Sequence, residues 1–442
     1  MKLTLIKPNI GRMIDGPYVD EGRMEPLQLG VLAALTPADV EVVLHDDRME
    51  RIPYDEPTDL VAITVETYTA KRAYEICAEY RKRGVPIILG GFQPTLIPEE
   101  CAPHADSLFI GDAELLWETV IEDARKGRLK PRYESKPGPP QPRVITRRDI
   151  FEGKGYLPMT LLQFSRGCRF TCDFCAISVF FDKTQYLRNI DEVVQEIQSQ
   201  NRKLLFFVDD NICSNHEALK QLCRALIPLK VRWVSQGSID MTKDRELMRL
   251  MVQSGCLGNV IGFESLDPDN LKTMKKAPNI KHFSRYREQI QILRDYGLQT
   301  WAAFTLGHDG DTLSSIEDTL DFALSNKFTF AAFNILVPYP NTPLYRKLES
   351  ENRLLYNGKW WLHPDYRFNY ATFEPKHMSP DELTHACHDA RSRFNSVGSI
   401  VTRALDFKTN LRSIYRFGTY LQFNPIFRKE VFKKHGMLFG EC

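Results

Sequence analysis

Short apolar runs recur along this chain with amphipathic stretches between them, and that alternation limits the fold more than any other feature. In the first third, runs at 3–6, 40–44, 60–65, 86–89 and 107–110 are β-branched or Leu-rich and bounded by turn or charged residues. They are too short for buried helices and read as strands. Stretches at 28–34, 70–83 and 114–125 carry apolar residues at helical spacing. Strands alternating with helices imply a parallel sheet covered on both faces, which binds ligands at the carboxyl ends of its strands. The run Gly90-Gly91-Phe92-Gln93-Pro94-Thr95 falls at such an end, where glycine lets backbone approach a ligand.

The stretch Lys136-Pro137-Gly138-Pro139-Pro140-Gln141-Pro142 holds neither helix nor central strand and reads as a linker. Alternation then resumes, with strand candidates at 161–165, 203–208, 231–236, 259–263, 300–306 and 328–336, and helical patterns at 190–200, 216–229, 243–254, 283–296 and 313–326. Six βα units in a row suit a doubly wound sheet or an open partial barrel, and periodicity leaves both open. Beyond Leu344 the chain turns aromatic and basic, with helical stretches near 380–394 and 399–416. The expected division is 1–135, a linker at 136–150, a second domain at 151–345 and a helical segment at 346–442.

Lys+Arg at 58 against Asp+Glu at 57 leaves a charge of +1, which argues against a broad nucleic-acid face. No apolar run is long enough to span a membrane. The start, MKLTLIKPNIGR, breaks into Pro and Gly too early for a secretory signal, so a cytoplasmic, reducing location is expected. The ten cysteines then read as thiols with a metal-binding subset, not as a disulfide framework.

That subset is Cys168, Cys172 and Cys175, a C-x3-C-x2-C spacing directly after the first strand of the second series. A tight loop brings three thiolates to one centre, and thiolates select zinc or iron–sulfur. The loop holds no His, and the next cysteine is the distant Cys213. The favoured reading is a four-iron cluster with three protein ligands and one iron left open at a strand's carboxyl end. Zinc with a distant fourth ligand, or unligated thiols, are the alternatives.

The cysteine run, with Phe174 before its last member, resembles the signature of the radical S-adenosylmethionine (SAM) superfamily. The resemblance implies a partial (β/α)6 barrel, a 4Fe-4S cluster on the three cysteines, and SAM chelated at the open iron and cleaved to a 5′-deoxyadenosyl radical. It implies SAM contacts from Phe174, from Asp209 and Asp210 after the second strand, from Gln236 and Ser238 at the third, and from Glu264 at the fourth. Capping is the bland role for the aspartates, and a protein partner is the bland role for Glu264. His308 is assigned no role, and the turn Pro338-Tyr339-Pro340-Asn341-Thr342-Pro343 is read as a rigid barrel exit.

The front domain is similar to the Rossmann-like cobalamin-binding domain that precedes many radical SAM enzymes. The matching residues are Glu25 to Gly30, Thr64 to Tyr74, Gly90-Gly91 with Pro94-Thr95, and Gly111 to Glu114. This implies cobalamin contacts from Glu66, Thr67, Tyr68, Thr69, Gly90, Gly91, Gln93, Thr95, Gly111 and Glu114. Cobalt-ligating relatives use Asp-x-His-x-x-Gly, whereas here Val43 and Arg48 flank His45, so no histidine bond to cobalt is expected.

Together the two resemblances imply methylation of an unactivated carbon or phosphorus through the deoxyadenosyl radical and methylcobalamin. Cyclisation, ring contraction or anaerobic oxidation without methyl transfer are the enzymatic alternatives, and a cofactor-binding sensor or scaffold is the non-enzymatic one. A methylthiotransferase is disfavoured because the front domain has only Cys77 and Cys101. The implied partners are a small-molecule or lipid-like substrate and an electron donor such as flavodoxin or ferredoxin. The catalytic residues are not written in the sequence. Basic and apolar residues mix from Arg403 to Lys434, which is read either as a solvated helical face or as a peripheral membrane contact.

Overall fold

The chain's first six strands form one parallel sheet: β1 (Lys2–Lys7), β2 (Glu41–Asp46), β3 (Leu60–Thr64), β4 (Ile87–Gly90), β5 (Ser107–Ile110) and β6 (Arg132–Glu134). Their spatial order is β2-β1-β3-β4-β5-β6. The order reverses between β1 and β3, which places the ligand crevice of a doubly wound sheet at the carboxyl ends of those two strands. The computed structural model describes residues 1–11 and 23–440. Cys442, expected as a packing or surface thiol, lies outside them.

The chain divides into two packed units. One comprises Met1–Leu157, Tyr356–Phe368 and Gly436–Cys442; the other comprises Pro158–Leu355 and Asn369–His435. In the first unit, strands and helices alternate as the apolar runs dictate. Helix Ala70–Lys82 buries Ala73, Tyr74, Ile76, Cys77 and Tyr80 and turns Lys82 and Glu79 outward. β6 was not anticipated, because its three residues Arg-Tyr-Glu bury only the tyrosine.

The proline-rich stretch does not end the first unit. Ile150 and Phe151 return to its core beside Leu29 and Trp117. The Arg147 amide donates to Gly30 O at 3.1 Å, and Arg148 pairs with Glu25. Two later segments rejoin it. Trp360, Trp361 and Tyr366 are buried there, and the Phe368 amide donates to Met437 O at 2.8 Å. The aromatic cluster around Trp360 is therefore packing.

In the second unit six parallel strands lie in chain order: β7 (Thr160–Leu162), β10 (Leu204–Phe207), β11 (Arg232–Gly237), β12 (Cys256–Glu264), β13 (Gln299–Leu306) and β14 (Phe330–Ile335). No reversal interrupts that order, which selects the open partial barrel over the doubly wound alternative. Along β13 the burial alternates strictly, with Ala302, Phe304 and Leu306 joining the main core. Asn215, Asp244 and Thr312 cap three of the intervening helices through their side chains. A hairpin of β8 (Ser165–Gly167) and β9 (Gln185–Leu187) follows β7 and was missed, being short and polar.

The C-terminal part is helical, at Pro380–Phe394, Val397–Ala404 and Ile414–Lys434. The expected stretch at 399–416 is broken between the last two helices, and the final helix runs further than its pattern suggested. Among the described residues no helix is long and apolar enough to cross a membrane.

Candidate functional site

The three-cysteine loop leaves the small hairpin at Gly167. That residue has φ +79°, and a Cβ on it would lie 2.0 Å from Thr184 O, so only glycine fits. Cys168 follows at once, and Cys175 stands at the entrance to helix Ala176–Phe180. Backbone bonds tie the loop down on three sides. The Cys175 amide donates to Cys172 O at 3.3 Å, the Asp173 amide to Met274 O at 3.1 Å, and the Leu344 amide to Asp173 O at 3.0 Å.

All three thiols are unpaired, Cys172 buried and the others half-buried. Burial pushes the Cys172 thiol up to about 12 and raises that of Cys175. Burial of this kind disfavours the thiolate, and a metal centre is what stabilises it. Among the described residues no group of three His, Cys, Asp or Glu side chains is set to hold a single metal ion. A cubane cluster asks something different, one sulfur per iron. Cys172 stands within electrostatic reach of both Cys168 and Cys175. This soft, three-member donor set therefore fits a cluster better than a lone ion.

The strand ends hold the loop in place. Asp209 is fully buried and accepts from the Phe164 amide at 3.1 Å and from the amide and hydroxyl of Ser165. Asp210 accepts from the Gly167 amide at 2.7 Å. Neither aspartate caps a helix; Asn211 and Asn215 do that. Burial raises both carboxyls, that of Asp209 to about 7. Asn211 also links two of the expected residues. Its Nδ2 lies 4.0 Å from Cys168 Sγ and 3.2 Å from Ser238 Oγ, while Ser214 Oγ is 3.7 Å from the same sulfur. Gln236 is half-buried in β11, opposite Val260 of β12.

Glu264 closes β12 in a left-handed conformation, φ +63°, next to a register shift against β13. Strain of that kind re-aims a side chain and needs support. Gly262 makes room for it, because a Cβ there would lie 2.1 Å from Glu264 Oε1. The partner is Lys276, whose Nζ is 2.7 Å from Glu264 Oε1 and 6.0 Å from the Phe174 ring. Burial opposes the Lys276 charge, but Glu264 and the thiols of Cys172 and Cys175 outweigh it and raise its pKa. Phe174, Glu264 and two of the cysteines thus converge on a lysine that the sequence did not single out. His308 is buried and hydrogen-bonded to Thr305 Oγ1 at 2.8 Å, and burial lowers it to about 4, so it is neutral.

In the first unit, Lys7 at the end of β1 meets Glu66 after β3 at 2.7 Å. The Lys7 charge holds the Glu66 carboxyl below its ordinary range. Glu66 opens a short turn in which Thr67 and Thr69 are buried, the Glu66 amide donating to Thr69 Oγ1 at 3.0 Å. Tyr68 packs its ring 5.0 Å from Trp360 and 5.9 Å from Phe439. Gly91, at φ +106°, approaches Val65 so closely that a Cβ would sit 2.9 Å from its carbonyl, whereas Gly90 has room. Thr95 Oγ1 donates to Gly91 O at 2.8 Å and accepts from the Gly111 amide at 3.0 Å. Glu114 is half-buried before helix Trp117–Arg125. Two buried atoms at these strand ends, Asn9 Nδ2 and Gln93 Oε1, have no hydrogen-bond partner. Buried polar groups are seldom left so, and a strand-end crevice offering a donor and an acceptor fits a bound polar cofactor.

A sequential open barrel carrying a three-thiol loop behind its first strand, with a doubly wound unit before it, defines a two-unit α/β enzyme. The sequence pattern of the radical SAM superfamily matches residues 162–323. The bacteriochlorophyllide d C-12(1)-methyltransferase of Chlorobaculum tepidum is 30% identical over 379 residues, covering 83% of this chain and 81% of that one. The C-8(2)-methyltransferase of the same organism is 31% identical over 355 residues, covering 74% and 77%. The cobalamin-dependent S-adenosylmethionine radical enzyme OxsB, solved with aqua-cobalamin bound, superposes with a TM-score of 0.69 over 98% of this chain and 72% of its own, at 14% identity; that likeness is one of fold. The chain belongs to the radical SAM superfamily, in the family that holds these methyltransferases.

Proposed function

We propose that the protein is a cobalamin-dependent radical SAM methyltransferase acting on an unactivated carbon, or phosphorus, of a small biosynthetic intermediate. The observation that carries this reading is the three-cysteine loop, tied down at the carboxyl end of an open barrel with a Glu264–Lys276 pair beside it. When bound, the cluster supplies the electron that cleaves SAM, and cobalamin supplies the methyl carrier.

The chain's own residues bind and orient. Cys168, Cys172 and Cys175 hold the cluster, while Asn211 and Ser214 lean on the Cys168 sulfur. Asp209 and Asp210 brace the turn that delivers it. The Glu264–Lys276 pair offers one charge of each sign, matching the amino and carboxylate groups of SAM, and Phe174, Gln236 and Ser238 complete that site. Cobalamin is assigned to the first unit's crevice, with Glu66 to Thr69 at one side and Gly90, Gly91, Gln93, Thr95, Gly111 and Glu114 at the other. Asn9 and Gln93 point to polar groups on that ligand. The substrates named for the two bacteriochlorophyllide relatives make a large cyclic, apolar intermediate a first class to try. A reductant such as flavodoxin or ferredoxin supplies the electron.

The test is anaerobic reconstitution, with iron, sulfide and cobalamin stoichiometry, followed by turnover with SAM carrying a labelled methyl. Label in the product is the expected result; deoxyadenosine without label in product moves the reading to a non-methylating radical reaction. Replacing Cys168, Cys172 and Cys175 together by Ala is expected to abolish the iron absorbance and all SAM cleavage. Cleavage by that variant would sink the cluster assignment.

A further inference from the structure

The final helix, Ile414–Lys434, presents two unlike faces. Tyr420 and Asn424 are buried, and Phe427 lies 4.5 Å from Trp301 and 5.0 Å from Phe330, so one face seals against strands β13 and β14. The other face faces out. Ile414, Gly418, Leu421, Pro425 and Phe432 follow at spacings of three, four or seven, one line along a helix, and all are exposed. Ile414 is 93% exposed. The preceding helix continues the pattern, with Val397 and Val401 four residues apart and both exposed, and Phe407 in the connection is 77% exposed.

Scattered exposed apolar residues are ordinary, but an aligned row of them marks an interaction surface. Its charge says what kind. The whole chain nearly balances, at 58 basic and 57 acidic residues, whereas 397–434 holds eight basic residues and two acidic ones. Of these, Asp406 is buried against Arg294 and Arg403 is buried as well, which leaves seven basic residues and one acidic one. Lys429 and Lys433 are exposed and lie beside the apolar line, and Arg412 is exposed just before the helix. An exposed apolar stripe flanked by basic side chains, on a helix not apolar enough to span a bilayer, is the pattern of a helix lying in a membrane interface.

We infer that the helices Val397–Ala404 and Ile414–Lys434 dock the enzyme on an anionic lipid bilayer, the apolar line entering the acyl boundary and the basic flank meeting headgroups. This surface is separate from the candidate cofactor residues, so its failure would leave the proposed chemistry standing.

The experiment uses the full, cluster-reconstituted chain and vesicle flotation. Vesicles of equal parts phosphatidylglycerol and phosphatidylcholine are expected to carry the protein, with binding weakened by salt, and phosphatidylcholine alone much less. Ile414→Glu with Leu421→Glu is expected to abolish flotation. Val397→Glu with Val401→Glu is an independent check on the other helix, and melting temperatures identify any variant that misfolds. Lys429→Ala with Lys433→Ala is expected to weaken partitioning about thirty-fold. Three results would overturn the inference: no flotation on anionic vesicles, flotation indifferent to well-folded variants, or a dimer in solution that the glutamate variants dissociate without any vesicle binding. The last would assign the surface to a second copy of this chain.

Discussion

At the carboxyl ends of the first unit's strands, acidic side chains meet cations; at those of the second, most meet backbone amides. In the first unit Asp47 is paired with Arg72 at 2.8 Å, Asp46 with Arg48 at 2.7 Å, and Glu66 with Lys7 at 2.7 Å. In the second, Asp209 and Asp210 brace the β7–β8 region through amides, and Asp311 takes those of Gly307 and His308 at 2.8 and 2.9 Å. Amide donors fix the position of a carboxylate without neutralising it, so burial raises all three. The first arrangement locks loops with charge. The second spends carboxylates on positioning and keeps a half-buried cation, Lys276, beside the cysteines.

The largest test of this contrast is Arg72→Met. Asp47 and Arg72 are both almost fully buried, and the Asn9 amide also leans on Asp47 at 3.2 Å. Losing the cation strands a buried carboxylate, which costs about 3–5 kcal/mol. Denaturant unfolding of the full chain should show that loss in the first unit alone. A loss below 1 kcal/mol would mean that Asp47 is held by its amides, as in the second unit, and the contrast would fall.

Asp209→Asn is the matching test on the other side. The amide turns an NH2 group toward donors that need an acceptor, at a cost of about 1.5–3 kcal/mol. It also sharpens the pH behaviour. Asp209 in the folded chain titrates near 7, above an unfolded carboxyl near 4. Its contribution is therefore fully present below about pH 4 and is lost as pH rises toward 7. Ser165 Oγ, which also receives Gln185 Nε2 at 3.0 Å, is placed to accept a hydrogen bond from the protonated carboxyl. Glu66 behaves oppositely. Lys7 depresses its folded pKa, so its contribution is present above the unfolded value and lost as pH falls. Unfolding across pH 4 to 7 should flatten in Asp209→Asn and stay sloped in Lys7→Met; the reverse would exchange the roles of the two units.

Most of the architecture is legible because parallel strands buried on both faces spell continuous apolar runs. All five front strands named from the sequence form, and so do all six barrel strands. The misses share a cause. β6 and the β8–β9 hairpin are three-residue elements whose pairing is set by backbone, and no apolar period reveals them. The proline-rich stretch reads as a boundary, yet Ile150 and Phe151 return to the first core beyond it. The cysteine loop is legible from spacing alone, but its supports are not. Gly167 and Gly262 matter through contacts with Thr184 and Glu264, and Lys276 reaches Glu264 across the helix Pro268–Thr273. Such pairings depend on how a loop folds back, which periodicity does not carry. Asp209 does not cap a helix; it takes the Phe164 amide across the strand connection, a contact visible only once β7 and β10 are side by side.

The finest test concerns the Glu264–Lys276 pair, which with Asp309 and its partner Lys347 departs from the second unit's use of amides. A buried cation near thiolates favours the added electron when a cluster is reduced, and a buried anion opposes it. Lys276→Met is therefore expected to make the cluster harder to reduce, by roughly 60 mV, the equivalent of a tenfold step for one electron. Glu264→Gln, which leaves the lysine charge uncompensated, is expected to shift the potential the other way. Midpoint titration followed by electron paramagnetic resonance reads both shifts without turnover. Equal iron content in both variants separates a change in field from loss of the cluster. If the two substitutions move the potential in the same direction, the pair acts through packing around Phe174, and the second unit positions its cluster with no charge of its own.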